Sequence, residues 1–296
     1  MTTQRFDNFF QHVALQYLLD GIHVGLKEDG NDLTSRAVFS PEEKSSAYIV
    51  AKENTLVGGL PVIPLVLAQT EKWEKGLWTW EPLVEEGSFA PCGTVVANIE
   101  APTRFILKAE RIMLNFITHI SGIANLTARY VKKLEGTQTR LLDTRKTLPG
   151  LRHAEKYGML VGGGLNHRFS LEDMLMLKDN HIDAAGSITK AVAMLRAVCS
   201  PCPPVEVECR NLAEVKEAVE ARADRIMLDN MDVCAIAEAM RSIPRNIETE
   251  VSGGVNLESI GELARISPRG PDFISVGRIT HSAPAADFSL KFKKDS

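Results

Sequence analysis

The second half of the chain repeats one pattern, a short apolar or β-branched run followed by an amphipathic stretch. Helix-like stretches at 211–221 and 256–266 each open with an Asn that can cap the first turn. The runs between such stretches are TRLLDT (139–144), MLMLKDN (174–180), VEVEC (205–209), RIMLDN (225–230), ETEVSGG (248–254) and DFISVGR (272–278). This alternation predicts βα units, a parallel sheet with helices outside, and hence an α/β fold of the incomplete TIM-like barrel kind.

The first ~115 residues do not follow this alternation. Segments 28–39 and 85–107 carry Gly, Pro and alternating apolar residues, as antiparallel strands do. They predict a separate α+β domain. Between the two parts, residues 108–136 are expected to form a helical connector with a break or kink at Ser121 and Gly122.

Charge and apolar content limit the partners that we expect. Lys and Arg total 34 against 38 Asp and Glu, a net charge of -4, so no global positive field favours nucleic acid or an anionic membrane. No apolar stretch approaches the ~20 residues of a membrane span, and the first residues do not resemble a secretion signal. We therefore expect a cytoplasmic protein that binds anions through a local basic cluster.

Cysteine usage agrees with a reducing compartment. The chain has 5 cysteines, an odd number, so a disulfide framework is not expected. Cys199 and Cys202 have CxxC spacing, but no second pair or histidine lies near them in sequence. We expect them to lie in a loop between a helix and a strand.

Polar or glycine residues follow every predicted strand of the barrel. In barrels of parallel strands the catalytic groups come from the carboxyl ends of the strands and the loops that follow them. The site is therefore expected at this rim. The strand-end residues are Arg145, Lys146, Lys178, Glu208, Asp229, Ser252, Gly253, Gly254 and Gly277.

Basic residues also cluster in this part of an otherwise acidic chain. Interleaved with three glycines at 162–164, they predict a pocket for a multiply charged anion, because Arg binds carboxylate or phosphate through two N–H groups and Lys supplies a point charge. The glycines of the last two strands could add backbone N–H donors for a phosphate. The basic residues are Arg145, Lys146, His167, Arg168 and Lys178.

Four further residues have two interpretations each. Glu208 and Asp229 could bind Mg²⁺ or sugar hydroxyls, or could form salt bridges that orient the lysines. His181 and His281 could be acid/base groups or hydrogen-bonded structural residues. His281 is the better candidate of the two, because it follows the last glycine-containing strand.

Taken together, an ordered series of motifs closely resembles the quinolinate phosphoribosyltransferase family. The resemblance extends over nearly the whole chain, and its specificity comes from the order. In the second half the motifs are DTRKTLPGLR (143–152), GGGLNHR (162–168), LKDNHI (177–182), VEVEC (205–209), IMLDN (226–230), EVSGGV (250–255) and DFISVGRITHS (272–282). In the first half they are EDGNDLTS (28–35), GTVVANIEAPTR (93–104) and AERIMLNFITHISGIA (109–124).

The resemblance implies a two-domain homodimer. An N-terminal open-faced α+β sandwich would comprise residues 1–115, joined by the C-terminal tail 286–296, and the catalytic barrel would comprise 116–285. One subunit's N-terminal domain would close the partner's barrel mouth. Arg111 resembles the family arginine that crosses this interface to the substrate.

The resemblance also implies a role for each site residue. Lys146 would lie beside the reacting centre, and Glu208 and Asp229 would hold the ribose hydroxyls and Mg²⁺, directly or through water; these three are the predicted catalytic residues. The residues expected to bind carboxylates or phosphates are Arg111, Thr144, Arg145, His167, Arg168 and Lys178. Those expected to surround the 5-phosphate are Ser252, Gly253, Gly254, Gly277 and His281.

The implied reaction transfers phosphoribose from phosphoribosyl pyrophosphate to quinolinate. Its products would be nicotinate mononucleotide, pyrophosphate and CO₂, a step of NAD biosynthesis, and the complete basic set favours quinolinate as acceptor. The alternatives are a related transferase with another acceptor, such as a molybdenum-associated relative, and a non-catalytic phosphometabolite-binding barrel. An aldolase-like barrel, with Lys146 or Lys178 as a Schiff-base lysine, is a third.

Overall fold

The computed structural model describes residues 2–199, 201–266 and 269–293. The helices within these residues are α1 (Thr2–Phe9), α2 (His12–Glu28), α3 (Leu33–Val38), α4 (Val62–Thr70), α5 (Thr103–Lys133), α6 (Arg152–Val161), α7 (Asp179–Ala185), α8 (Ile188–Val198), α9 (Leu212–Glu220), α10 (Val233–Ser242), α11 (Ile260–Leu263) and α12 (Arg278–His281). The strands are β1 (Lys44–Ala51), β2 (Thr55–Leu56), β3 (Thr79–Pro82), β4 (Phe89–Ala90), β5 (Val95–Pro102), β6 (Arg140–Leu142), β7 (Leu175–Leu177), β8 (Val205–Cys209), β9 (Arg225–Asp229), β10 (Glu248–Ser252), β11 (Phe273–Ser275) and β12 (Phe288–Phe292).

The chain divides into two compact units. The first comprises Met1–Thr127, Thr147–Gly163 and Ile279–Ser296, and the second comprises Ala128–Lys146 and Gly164–Arg278. The division falls inside α5 rather than near residue 115. Residues 147–163 are grouped with the first unit because the apolar side of α6, including Tyr157 and Val161, packs into that unit's hydrophobic core.

The first unit contains a four-stranded antiparallel sheet in the order β12-β1-β5-β3. On β1, Ile49 is paired with Leu290 of β12 and with Ala97 of β5, so a segment near the end of the chain forms an edge strand of the sheet. Ile49 shares one hydrophobic core with Ile22 of α2 and Leu67 of α4, and all three are fully buried. This is the predicted open-faced α+β sandwich.

The helix α5 is longer than predicted and runs without a break through Ser121 and Gly122, where a break or kink was expected. The Ser121 hydroxyl accepts a hydrogen bond from the Gly58 backbone N–H at 2.9 Å and donates to the Gly58 carbonyl at 3.1 Å. A Cβ at Gly122 would lie 2.1 Å from the Pro284 carbonyl oxygen. Both residues therefore allow close approach of another chain segment to an intact helix.

Residues 28–39 were also predicted wrongly, since they include the helix α3 rather than antiparallel strand. Asp32 caps this helix by accepting the Ser35 backbone N–H at 2.9 Å. An Asp that precedes a short helical run is an N-cap signal, and here it outweighs the Gly-rich context. The second segment, 85–107, does contain β4 and β5 but ends in the first turn of α5.

The second unit contains one parallel sheet in the order β6-β11-β10-β9-β8-β7. Each of the six predicted runs contains one of these strands, which confirms the α/β class. Val207, Ile226 and Ile274 are fully buried, as expected for strands that are covered on both faces. The sheet has six strands, with β6 and β7 at its ends, and corresponds to the incomplete barrel that the sequence predicts.

Of the two helices predicted at 211–221 and 256–266, the first begins at its Asn and the second does not. Asn211 caps α9 by accepting the Glu214 backbone N–H at 3.0 Å, as predicted. Asn256 instead accepts the backbone N–H groups of Glu258 and Ser259, at 3.0 and 2.9 Å, within a turn. Because those N–H groups are engaged by the side chain, α11 begins only at Ile260.

Two observations bear on the environment of the chain. The five cysteines are free thiols, and Cys199 and Cys202 lie in the predicted connection between α8 and β8, with Ser200 outside the described residues. Among the helices of the described ranges, none has both the length and the apolar character that a membrane crossing needs.

Candidate active site

A cavity of about 470 Å³ lies at the carboxyl ends of the parallel strands in the second unit. It gathers most of the predicted site residues from five of the six strands and the loops that follow them. Its lining comprises Thr144, Arg145, Lys146, His167, Arg168, Met176, Lys178, Glu208, Met227, Asp229, Asn230, Glu250, Ser252, Gly253, Gly254 and Ser275. Parallel strands bring their carboxyl ends to one rim, so residues distant in sequence meet there.

Two arginines contribute guanidinium groups to this cavity. Arg168 donates to the Met174 carbonyl at 3.0 Å and lies 3.4 Å from the Met176 sulfur, which orients its side chain. Burial and the nearby charge of Arg145 lower the pKa of Arg168. Within the described part of the chain, the buried Nε of Arg145 has no hydrogen-bond partner. An anion between the two guanidinium groups would relieve both conditions.

The loop that carries Arg168 is held by an aspartate at the end of β6. Asp143 is fully buried, and its carboxylate accepts the His167 backbone N–H at 2.8 Å and the Asn166 side-chain amide at 2.7 Å. The Asp143 and Leu165 backbones are also linked, with the Asp143 N–H donating to the Leu165 carbonyl at 3.2 Å. Residues 165–168 therefore follow β6 closely.

The His167 ring has protein partners at both nitrogens. Nδ1 accepts the Arg168 backbone N–H at 2.7 Å, while Nε2 lies 3.2 Å from Glu206 Oε2 and 3.5 Å from Glu250 Oε2. Burial lowers the pKa of His167, but the two glutamates more than offset this and raise it to about 9. The Arg168 N–H that points at Nδ1 opposes the second ring proton that this raised pKa would otherwise bring, so the hydrogen-bond geometry keeps the ring neutral with its proton on Nε2.

Below this ring, Glu206 and Glu250 are fully buried. Glu206 and Glu208 are two residues apart on β8, so both point to the same side of the strand at different depths. Burial raises the pKa of Glu206, and the charge of Glu250 adds to this effect. Arg225 lies 3.5 Å from Glu250, which places a positive charge beside the pair.

The two predicted catalytic carboxylates stand on neighbouring strands. Glu208 Oε2 lies 3.2 Å from Lys178 Nζ, as expected if this carboxylate orients the lysine. Asp229 accepts the Asn230 side-chain amide at 2.7 Å. Both carboxylates line the cavity and retain oxygen atoms that could bind a cation or sugar hydroxyls, so both interpretations of the sequence remain compatible with the geometry.

The glycine-rich strand ends allow close approach of other groups. Gly253 has φ +90°, and a Cβ there would lie 2.3 Å from the Asn230 side-chain oxygen. A Cβ at Gly277 would lie 3.0 Å from Lys146 Cδ. Ser252 and Ser275 are linked through their hydroxyls at 3.0 Å. Together these positions give a small, polar surface suited to a phosphate.

Four predicted residues are not among those that line this cavity: Gly277, which lies beside Lys146, and Arg111, His181 and His281. Arg111 is exposed on α5, and His281 is exposed at the end of α12, with Nδ1 2.6 Å from the Ser282 hydroxyl; both belong to the first unit. His181 accepts the Lys178 backbone N–H at 3.0 Å, at the start of α7. This contact supports the structural interpretation of His181.

Several residues at the site were not predicted from the sequence. Glu206 and Glu250 lie two positions before strand-end residues that were singled out, and the same-face rule for strands could have identified them. Asn230 has φ +52°, a conformation that Asn tolerates, and it follows Asp229 directly. Asp143 had no comparable signal, since its contacts depend on the path of residues 165–168.

Two family models match the chain. The model for the Quinolinate phosphoribosyl transferase, N-terminal domain matches residues 32–121, and that for the Quinolinate phosphoribosyl transferase, C-terminal domain matches residues 123–291. Together they cover most of the chain, and they match in the order in which the sequence motifs occur. The match therefore extends to both parts of the chain.

Similar proteins carry related names. The chain is 38% identical over 280 residues to the probable nicotinate-nucleotide pyrophosphorylase (carboxylating) of Bacillus subtilis (strain 168), covering 94% of this chain and 93% of that protein. A quinolinate phosphoribosyltransferase (decarboxylating) of Nicotiana tabacum is 36% identical, with 91% and 81% covered.

Solved structures give the same result. NadC from Streptococcus pyogenes has a TM-score of 0.86 at 37% identity, with 96% of this chain and 99% of that chain covered. The nicotinate-nucleotide pyrophosphorylase from Francisella tularensis has a TM-score of 0.87 at 34% identity, with the same coverage. The chain therefore belongs to the quinolinate phosphoribosyltransferase family.

Proposed function

We infer that this chain transfers phosphoribose from phosphoribosyl pyrophosphate to the nitrogen of quinolinate and releases pyrophosphate and CO₂, forming nicotinate mononucleotide for NAD biosynthesis. One observation carries the proposal: a single cavity combines two arginines, two lysines, three carboxylates and a glycine-rich rim. Each group matches a part of the two substrates. The names of the relatives agree with this reaction.

The acceptor is proposed to bind at the arginine side of the cavity. Quinolinate carries two adjacent carboxylates, and Arg145 and Arg168 are close enough for the charge of one to lower the pKa of the other. A dianion would satisfy the buried Nε of Arg145 and compensate both charges. Nicotinate, with one carboxylate, would leave part of this charge uncompensated, which favours quinolinate as the acceptor.

The phosphoribosyl donor is proposed to bind at the opposite side. Ser252, Gly253, Gly254 and Gly277 would surround the 5-phosphate, and Lys146 and Lys178 would face the pyrophosphate. Thr144, whose hydroxyl accepts the Lys146 backbone N–H at 3.0 Å, would help to place that lysine.

The carboxylates of Glu208 and Asp229 are suited to Mg²⁺. They provide hard oxygen ligands on neighbouring strands, and Mg²⁺ in proteins is commonly held by one or two carboxylates together with substrate phosphates and water. When bound, the ion would neutralise part of the pyrophosphate charge. Glu208 and Asp229 would hold it directly or through water and would also accept hydrogen bonds from the ribose hydroxyls.

The residues of the cavity match the charges that the reaction develops. The C–O bond from ribose C1 to pyrophosphate breaks while the pyridine nitrogen donates its electron pair to form the new C–N bond. Lys146 and Lys178 would stabilise the departing pyrophosphate, and Glu208 and Asp229 would offset the positive charge on the sugar. The protein needs no nucleophile for this step.

Transfer leaves a positive charge on the ring nitrogen, and this charge makes decarboxylation possible. The bond between C2 and its carboxylate breaks, CO₂ leaves, and the electron pair remains on C2 beside the positively charged ring nitrogen. C2 takes up a proton to give nicotinate mononucleotide. The proton at C2 comes from solvent, so the task left to the protein is to position and desolvate the departing carboxylate.

A shared homodimeric site is part of the same proposal. Arg111 is exposed on α5 and, among the described residues, makes no hydrogen bond or ion pair within its own chain. Such an arginine is available to a partner subunit's cavity, as the family resemblance implies, and His281 is proposed to face the 5-phosphate. The free cysteines suit the reducing cytoplasm, the compartment that we propose.

The proposal is tested by incubating the purified protein with phosphoribosyl pyrophosphate, Mg²⁺ and either quinolinate or nicotinate. Nicotinate mononucleotide is measured by chromatography and CO₂ from carboxyl-labelled quinolinate. We expect turnover of quinolinate, loss of about two orders of magnitude or more in Lys146→Ala, and wild-type rates in Lys190→Ala, an exposed lysine of α8. Turnover of nicotinate but not quinolinate would show that the acceptor is a different one.

A further inference from the structure

The contacts of His167 suggest that it acts through the protein rather than on substrate. Nδ1 accepts the backbone N–H of the next residue at 2.7 Å, and Nε2 faces Glu206 and Glu250. The ring is 7% exposed although it lines the cavity. Both ring nitrogens thus face protein atoms, and His167 links the buried glutamates to the backbone of Arg168.

The three residues could also be considered as a metal site. One possible ligand atom from each of His167, Glu206 and Glu250 lies within 4.8 Å of the others. A metal on Nε2 requires that nitrogen to be deprotonated, yet Nδ1 already accepts an N–H and a neutral ring must keep one proton. The contact at Nδ1 therefore favours a ring with its proton on Nε2, which lies at ion-pair distance from the carboxylate oxygens of Glu206 and Glu250.

Glu206 is the member of this group that cannot contact substrate. It is fully buried and absent from the residues that line the cavity, and its Oε2 is the closer of the two carboxylate contacts of Nε2. Glu250 is equally buried but does line the cavity. An effect of Glu206 on the acceptor would therefore have to pass through His167.

We propose that Glu206 is a positioning residue for the site that binds the acceptor. Its carboxylate keeps the His167 ring proton on Nε2, so that Nδ1 is free of a proton and holds the Arg168 backbone N–H. This contact directs the Arg168 guanidinium to a carboxylate of the acceptor. The identity of the acceptor rests on the proposed function. The Asp143 contact to the His167 backbone N–H holds the same loop from the other side. Arg168 is thus supported before any ligand binds, which reduces the entropy lost on binding.

The test compares a side chain that can accept a hydrogen bond at position 206 with one that cannot. Glu206→Gln keeps an oxygen that can accept from Nε2, whereas Glu206→Leu has similar volume and no acceptor. We expect Glu206→Leu to raise the KM for quinolinate roughly ten- to hundredfold, the size of effect seen for outer partners of metal-bound histidines. Glu206→Gln should stay near wild type, and the KM for phosphoribosyl pyrophosphate should change little in both. Glu238→Leu, at an exposed position of α10, is the control and should bind quinolinate normally.

Nitrogen-15 NMR of histidine-labelled protein gives a readout that does not depend on activity. We expect His167 with a protonated Nε2 and an unprotonated Nδ1 in wild type and Glu206→Gln, and a mixture of tautomers in Glu206→Leu. A proton on Nδ1 of the wild-type ring would overturn the proposal even if the leucine variant failed to fold. Equal KM values for quinolinate in a folded leucine variant and wild type would also overturn it. No turnover of quinolinate by wild type would count against the proposed function, while the tautomer result would still be obtained.

Discussion

At the residue scale, the cavity shows which side chains a sequence can identify. Arg145 and Glu208 were identifiable because they follow apolar strand segments, and the carboxyl ends of barrel strands form one rim. Glu206 is instead the second residue of the strand β8, so it interrupts the apolar run and does not lie at the strand's carboxyl end. Its role depends on His167, which comes from a loop 39 positions earlier in the sequence, and that proximity could not be read from spacing.

Glu86 illustrates how a half-buried carboxylate can make stability depend on pH. Its Oε1 accepts the Gly59 backbone N–H at 2.7 Å and the Tyr157 hydroxyl at 2.9 Å, and Oε2 accepts the Leu60 N–H at 3.0 Å. Burial raises the pKa of Glu86 despite these hydrogen bonds. The folded chain thus holds this proton more firmly than the unfolded chain.

We predict that Glu86→Gln loses most stability relative to wild type at low pH. A raised folded-state pKa contributes stability that is present below the unfolded pKa of about 4.5 and decreases as pH rises through the folded value. Gln at position 86 cannot titrate. The variant should be less stable by about 1–3 kcal/mol at low pH, because a hydrogen bond made by the Glu86 carboxyl group is left unmade. Urea midpoints from pH 4.5 to 8 measure the difference, with exposed Glu85→Gln as control. A difference that grows with pH would contradict the sign of this shift.

At the scale of elements, the βα alternation predicted all six barrel strands, because period and run length depend on local sequence. The helix α5 was harder to predict. Ser and Gly in a helix suggest a break when propensity alone is considered, yet Ser121 bonds to Gly58 and Gly122 allows close approach of Pro284. Both reasons come from segments more than 60 residues away, so tertiary packing determined the element.

Gly122→Ala tests that explanation because helix propensity predicts a more stable protein and packing predicts a less stable one. Helix propensity alone favours Ala over Gly by about 1 kcal/mol. A Cβ at 122 would lie 2.1 Å from the Pro284 carbonyl oxygen, so we expect the variant to be less stable by about 1–3 kcal/mol.

Gly21→Ala in α2 provides the matched control for this substitution. Its Cβ would lie 3.6 Å from Phe116 Cζ, an ordinary contact, and it should stabilise the protein by about 0.5–1 kcal/mol. Thermal and urea unfolding measure both variants. Equal stabilisation by the two substitutions would mean that the backbone at 122 can move without cost.

At the scale of the whole molecule, the two units contain chemistry of different kinds. The second unit holds the cavity with its basic residues and carboxylates, whereas Arg111 belongs to the first unit. The sequence assigned Arg111 a function only through the family resemblance, since a lone arginine on a helix is otherwise a common surface residue. A proposed homodimer explains why a functional arginine would be exposed on an isolated chain.

Subunit complementation tests this arrangement directly. Arg111→Ala and Lys146→Ala should each abolish most activity as homodimers, because every shared site then lacks one group. In a mixed dimer, one site combines the intact Arg111 of the lysine variant with the intact Lys146 of the arginine variant, and the other site lacks both. Random exchange of equal amounts makes about half of the dimers mixed, each with one intact site, so about one quarter of wild-type activity should return. Native mass spectrometry of size-tagged subunits verifies that the subunits exchange. In the control mixture, Arg129→Ala, an exposed arginine on the same helix, takes the place of Arg111→Ala. If exchange is complete and the first mixture stays inactive, Arg111 does not contribute to a site in the other subunit.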